Sequence, residues 1–231
     1  MGGIQSATIN VEHALYAWPV QAKVGRTLPK SKIYQHSKPN AAVRAMFVSQ
    51  VESITWAYKL APETINLPAK PDVPEIQVFD IALKTADLNH AVLRCIDKAI
   101  PLPILFNLRY DGRTQAVAAY KRPSDANASQ WVVGDYHVKS WQADNLDKPN
   151  LPIALDLQGL YEQLIRQHLS TPARAGEPLR THLDRLAEIA SKQAEIDKLA
   201  VRLEREKQFN RKVAYNTQLR QLRQQLLTLT T

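Results

Sequence analysis

The dipeptide Asp111–Gly112 constrains this chain more than any other feature. It separates two runs rich in β-forming residues, "PILFNLRY" and "RTQAVAAYKR", and an Asp-Gly pair accommodates the positive φ angles of a tight hairpin turn. The two runs are therefore expected to pair antiparallel. A polar stretch, "PSDANAS", leads on to "QWVVGDYHVKSWQ", a third strand of the meander. Upstream, "EIQVFDIALK" reads as a buried strand with polar ends. The expected sheet is mainly antiparallel and contains residues 75–84, 103–110, 114–121 and 131–139.

Helical periods surround these strands. In "PNAAVRAMFVSQVESITWAYKLA", Val43, Phe47, Val51, Ile54 and Tyr58 fall three or four apart, one face of an amphipathic helix that starts at Pro39–Asn40 and stops before Pro62. "ADLNHAVLRCIDKAI" reads as a second helix, with Asp87 as candidate N-cap and Pro101 as stop. "DLQGLYEQLIRQHL" sets Leu160, Leu164, Ile165 and Leu169 on one stripe. "WPVQAKVGRTLPKSKIYQHSK" has no clear period and is expected to wrap the surface. The pattern predicts an α+β core domain with packed helices over residues 1–170.

Beyond a linker at 171–178, Leu179, Leu183, Leu186, Ile189, Ile196, Ala200 and Leu203 keep helical spacing through a charged background. The spacing breaks at "KQFNRKVAYN" and resumes with Leu219, Leu222, Leu226 and Leu229. Residues 179–231 therefore read as a coiled-coil-like segment: one long helix with a stutter, or two helices folded into a hairpin. The leucines restart in a different phase, which favours the hairpin. This apolar seam needs cover, so Leu186, Ile189, Ile196 and Leu203 are candidate partner-binding residues. Phe209 and Val213 join them as an apolar pair among Lys207, Arg211 and Lys212, suited to a helix reversal or to docking an acidic surface.

Charge is unevenly spread. The 231 residues carry a net +8. From His13 to Val51 there is no acid and the balance is +6; from Lys207 onward there is again no acid and the balance is +5, so the rest carries −3. Two basic ends on a mildly acidic body point to an anionic partner such as DNA. Lys23, Arg26, Lys30 and Lys32, in a stretch with little aromatic interleaving, are the candidate DNA-backbone contacts. A single cysteine, Cys95, allows no internal disulfide and lies in an apolar helix. No signal peptide and no apolar run of membrane-spanning length is present, which predicts a soluble cytoplasmic protein.

Catalytic chemistry is weakly signalled. A strand carrying an acid and a lysine can serve a metal-dependent nuclease, but that site wants the two residues two positions apart, about 7 Å along the strand. Here Asp80 is followed at that position by Ala82, and Lys84 lies about 13 Å away. The same reading would take Glu52 or Glu75 as a further carboxylate. "GDYHVK" places Asp135, His137 and Lys139 on one strand face, an arrangement that could do acid–base work but is better read as the face a half-exposed strand shows to water. No phosphate-binding glycine loop and no nucleophile elbow occurs, and His13, His36, His90, His168 and His182 are scattered singly. No catalytic residue, metal or cofactor is expected.

The stretches "LPKSKIY", "VESITWAYKLAPETINL", "EIQVFDIALK", "DKAIPLPILF", "AVAAYK", "LDLQGLYEQLIRQ" and "EREKQFNRKVAYNTQLRQLRQQL" together resemble a bacterial family known as a domain of unknown function. Members look to be encoded beside helicases and DNA methyltransferases, in clusters similar to restriction and phage-defence loci. The resemblance implies that setting; taken with the basic ends, the leading expectation is a non-enzymatic accessory subunit of a DNA-processing defence complex, docking a helicase or methyltransferase through its core domain and touching DNA backbone through its basic ends. The divergent nuclease is the enzymatic alternative, and a homodimer joined by the C-terminal helices is the structural one.

Overall fold

The structure, a computed structural model, describes residues 15–127 and 130–230. In the unit Met1–Leu169, a 3-10 turn at Val20–Ala22 leads into β1 (Lys23–Thr27), α1 (Lys30–Ser37), α2 (Ala41–Gln50) and β2 (Val51–Leu60). Then come α3 (Pro62–Ile65), β3 (Ile76–Leu83), α4 (His90–Ala99), β4 (Ile104–Tyr110) and β5 (Arg113–Pro123). β6 (Trp131–Val138), β7 (Gln142–Ala143) and α5 (Leu157–Arg166) complete it. The strands lie in the order β1-β2-β3-β4-β5-β6, with β7 beside β5. All pairs are antiparallel except β3 and β4, which run parallel across the α4 connection. The fold is α+β with a mainly antiparallel sheet.

The hairpin forms at Asp111 and Gly112, whose φ angles are 50° and 67°, the left-handed pair that such a turn requires. Side chains alternate along β5, so Tyr120 and Lys121 leave opposite faces. Lys121 meets α4, donating to the Asp97 carbonyl at 2.7 Å, whereas Tyr120 stacks on Tyr161 of α5 with ring centroids 5.9 Å apart. The two helices thus cover opposite faces of the sheet. The face under α4 holds the main core, where Phe47, Ile54, Phe79, Leu93, Ile96 and Phe106 pack with α1 and α2.

Three sequence expectations are corrected. The helix expected across residues 39–61 stops at Gln50, and Val51–Leu60 is strand β2, between β1 and β3. Its register with β3 slips twice, between Val51 and Ser53 and between Trp56 and Tyr58, so Val51, Ile54, Ala57 and Leu60 are buried at every third position. Bulges broke the strand alternation and imitated a helical period. The supposedly irregular stretch before Asn40 contains β1 and α1. The N-cap of α4 is Asn89, whose side chain accepts from Ala91 N at 2.9 Å, in place of Asp87.

The second unit, Ser170–Thr231, is a helical hairpin of α6 (Leu179–Arg205) and α7 (Phe209–Thr230) that reverses over residues 206–208. Ile196, Leu199 and Leu219 are buried between the helices, flanked by Leu203, Tyr215, Leu222 and Leu226. The stretch 171–178, expected as a linker, is folded onto the base of this hairpin. Arg185 of α6 forks onto Glu177, with Nε to Oε1 and Nη2 to Oε2 both at 2.8 Å. Its guanidinium also donates to the carbonyls of Pro172 and Leu229, each at 3.0 Å. No helix among the described residues is long and apolar enough to cross a membrane.

Candidate nucleic-acid interface and partner surface

Lys23 and Arg26 are exposed on β1, the edge of the sheet, and Lys32 is exposed on α1, which begins three residues after β1 ends. None of the three has a carboxylate at ion-pair distance among the described residues. Lys30 differs. It is half-buried, and its Nζ donates to the carbonyls of Phe47 (2.9 Å) and Val51 at the end of α2. Lys84 reaches the same helix end, donating to Val48 O at 2.8 Å. The last carbonyls of a helix lack intrahelical donors and carry the negative end of its dipole, so two lysines there act as caps. Burial, and then the neighbouring Lys84 charge, hold the Lys30 amine below its ordinary pKa. The aromatic side chains nearby are committed to packing: Tyr34 lies edge-on to Phe47 at 5.3 Å, and Trp18 lies 5.9 Å from Tyr58. The exposed surface is cationic without a stacking platform.

The residues of the nuclease alternative go to separate places. Asp80 accepts from Asn107 Nδ2 at 2.9 Å and pairs with Arg109 at 2.8 Å. Glu75 pairs with Lys59 at 3.2 Å, Glu52 is exposed, and Lys84 caps α2. Among the described residues no group of three or more His, Cys, Asp or Glu side chains is arranged to hold a metal ion. Asp135, His137 and Lys139 do not act as a set either. The β5–β6 register slips so that Ala119 faces Tyr136 and Lys121 faces Val133, placing an extra residue in β6 ahead of His137. Asp135 is exposed and lies 3.7 Å from Arg94 of α4, while Lys139 is buried.

The densest polar cluster is one that sequence reasoning missed. Lys121 and Asp97 are both buried, with Nζ 3.2 Å from Oδ1. The ammonium also donates to the carbonyls of Asp97 and Ile100 at the end of α4, at 2.7 and 2.5 Å. Tyr136 donates its hydroxyl to Asp97 Oδ2, and the Arg94 guanidinium sits 5.0 Å above the Tyr136 ring. Desolvation pushes the Asp97 carboxyl up and the Lys121 amine down, each opposed by its partner. The cluster is a helix-end clamp, and the distances between its parts are those of satisfied hydrogen bonds. Its only sequence trace was a lysine within an apolar strand.

In the hairpin, Ile196 is buried and Leu186, Ile189 and Leu203 are half-buried along the seam. Phe209 and Val213, just past the reversal, remain 77% and 50% exposed. Arg211 is exposed and lies 3.8 Å from Glu206.

Comparison with curated proteins and with solved structures finds no match to this chain. A family profile does match, over residues 17–226, from the segment that enters β1 to the last turns of α7. That span takes in both units, and the chain belongs to the family described as domain of unknown function (DUF4391).

Proposed function

We propose that the protein is a non-enzymatic accessory subunit of a bacterial DNA-processing defence complex that contacts DNA backbone through its basic edge. The observation that carries this reading is the row of exposed cations Lys23, Arg26 and Lys32 on β1 and α1, with no carboxylate at ion-pair distance among the described residues, in a span from His13 to Val51 without a single acid. Cations on an exposed edge suit phosphates, which lie at regular intervals whatever the sequence. The lack of a free aromatic beside them argues against base stacking. The helicase or methyltransferase as docking partner rests on the resemblance of the sequence to a family whose members look to be encoded beside helicases and DNA methyltransferases.

The test is duplex-DNA binding followed by fluorescence anisotropy as salt rises. Three phosphate contacts give a slope near −2.7 in log affinity against log salt, so raising salt from about 50 to about 200 mM weakens binding roughly 40-fold. Lys23→Glu/Arg26→Glu/Lys32→Glu abolishes binding, with Lys30 left in place because it caps α2. An affinity that stays flat with salt, or survives the triple substitution, overturns the reading.

A further inference from the structure

The helix reversal at residues 206–208 does not account for the apolar pair that follows it. A reversal that needed Phe209 and Val213 would cover them, yet they stand 77% and 50% exposed, as does Leu227 at 55%. At 100° per residue, Phe209, Val213, Arg220 and Leu227 lie within about 40° of one another and about 80–120° away from Leu219 in the buried seam. Val213, Arg220 and Leu227 are seven apart, and Phe209 precedes Val213 by four, the spacing of a heptad seam. Asn216 and Arg223 take the intervening positions of that seam. α7 therefore carries two stripes: one closed against α6, and one open for about 27 Å, apolar at its ends and cationic at its centre.

We infer that this second stripe docks an acidic amphipathic helix of a partner protein, one with apolar residues at both ends of its seam and carboxylates in the middle. The inference rests on the proposed role of the protein as an accessory subunit. From Lys207 to Thr230 there is no acid, and Arg220 and Arg223 are exposed with no ion-pair partner among the described residues, so the middle of the stripe is complementary to a partner's carboxylates. A second copy is a poor occupant. With Val213 opposite Leu227 in an antiparallel pair, or each residue opposite itself in a parallel one, Arg220 faces Arg220. Nucleic acid would satisfy the arginines and leave Val213 and Leu227 against water.

The experiment uses the full chain and a synthetic 21-residue helical peptide with leucines at the ends of its seam and glutamates at the centre, beside a scrambled peptide and a single-stranded DNA oligonucleotide. The designed peptide binds, and Phe209→Ala/Val213→Ala weakens it at least tenfold with far-ultraviolet circular dichroism unchanged; Arg220→Gln/Arg223→Gln weakens it as much. Equal binding of the scrambled peptide overturns the inference, as does an affinity unmoved by either pair of substitutions. So does dimerisation of the chain through this stripe in sedimentation, or a Phe209-dependent grip on the oligonucleotide with none on the peptide. Lys23→Glu/Arg26→Glu/Lys32→Glu leaves peptide binding intact. A parent chain that binds the peptide but not duplex DNA thus counts against the proposed function alone, and one that binds duplex DNA but not the peptide counts against this inference alone.

Discussion

Lysines that look interchangeable in the sequence do different work in the fold. Lys30 sits in the same acid-free run as Lys23 and Lys32, but it is spent on the carbonyls of Phe47 and Val51. Lys30→Ala should therefore lower stability by about 1 kcal/mol, while Lys23→Ala and Lys32→Ala stay within about 0.5 kcal/mol of the parent; urea denaturation of the three variants checks this. Lys121 is the extreme case. Its removal leaves the Asp97 carboxylate buried and half-answered, so Lys121→Ala should cost about 3–5 kcal/mol. Lys121→Met with Asp97→Asn should cost less than the single change, because no charge is then stranded. A double substitution no milder than Lys121→Ala would show that the clamp is held by something other than this pair.

At the scale of elements, the Asp111–Gly112 turn should be sensitive in proportion to its backbone. An added Cβ at Gly112 meets no atom within 4 Å, yet φ is +67°, so Gly112→Ala should cost about 1–2 kcal/mol through conformation alone, read as a lower urea midpoint. His168, which follows α5, is buried with Nδ1 2.9 Å from Leu164 O, and desolvation holds its pKa down to about 4. The unfolded chain takes up that proton below about 6.5, so this contribution is intact above pH 6.5 and is lost as pH falls from 6.5 to 4. The expected loss is on the order of 3 kcal/mol, and His168→Gln should flatten the urea midpoint across that window. Glu177 works in a lower range: the Arg185 fork holds its carboxyl at about 2, so the hairpin base should loosen only as pH drops from about 4.5 toward 2. The hairpin turn, the four expected strands and α4 and α5 were legible in sequence because each carries an unbroken period with punctuation. β2 was not, because its bulges reset the alternation; its content of Val, Ile, Thr, Trp and Tyr was the signal that pointed to a strand. The Asp97–Lys121 clamp was illegible because residues 24 apart meet only when α4 lies on β5, and no local pattern encodes that.

For the whole molecule, each unit buries its own core: the two faces of the sheet in one, the α6–α7 seam in the other. A chain ending at Leu169 should therefore keep a cooperative urea transition and its tertiary near-ultraviolet signal, while losing the helical circular dichroism of α6 and α7. The hairpin is the more marginal of the two. A lone pair of helices covers a single seam, and Leu186, Ile189 and Leu203 stay half-buried along it. Hydrogen exchange should be fast in α6 and α7 and slow in β3 and β4, the two strands at the middle of the sheet. The sequence carried the helical period of the α6–α7 hairpin. What it could not separate was structural cation from free cation, since that depends on which carbonyls the fold leaves open.

Strand β1 closes one side of the sheet with only five residues, a kink at Gly25 where φ is +66°, and two outward cations. An open strand edge invites a neighbouring molecule to continue the sheet, and short length, a bulge and lysine or arginine are the features that discourage it. Lys23 and Arg26 therefore keep copies of the protein from stacking edge to edge, whatever else they touch. Replacing them with alanine removes that guard along with the charge, and the variant should self-associate as concentration rises, imitating a loss of DNA binding through aggregation. Glutamate repels phosphate and keeps neighbouring edges apart, so Lys23→Glu/Arg26→Glu should stay monodisperse in light scattering where Lys23→Ala/Arg26→Ala does not.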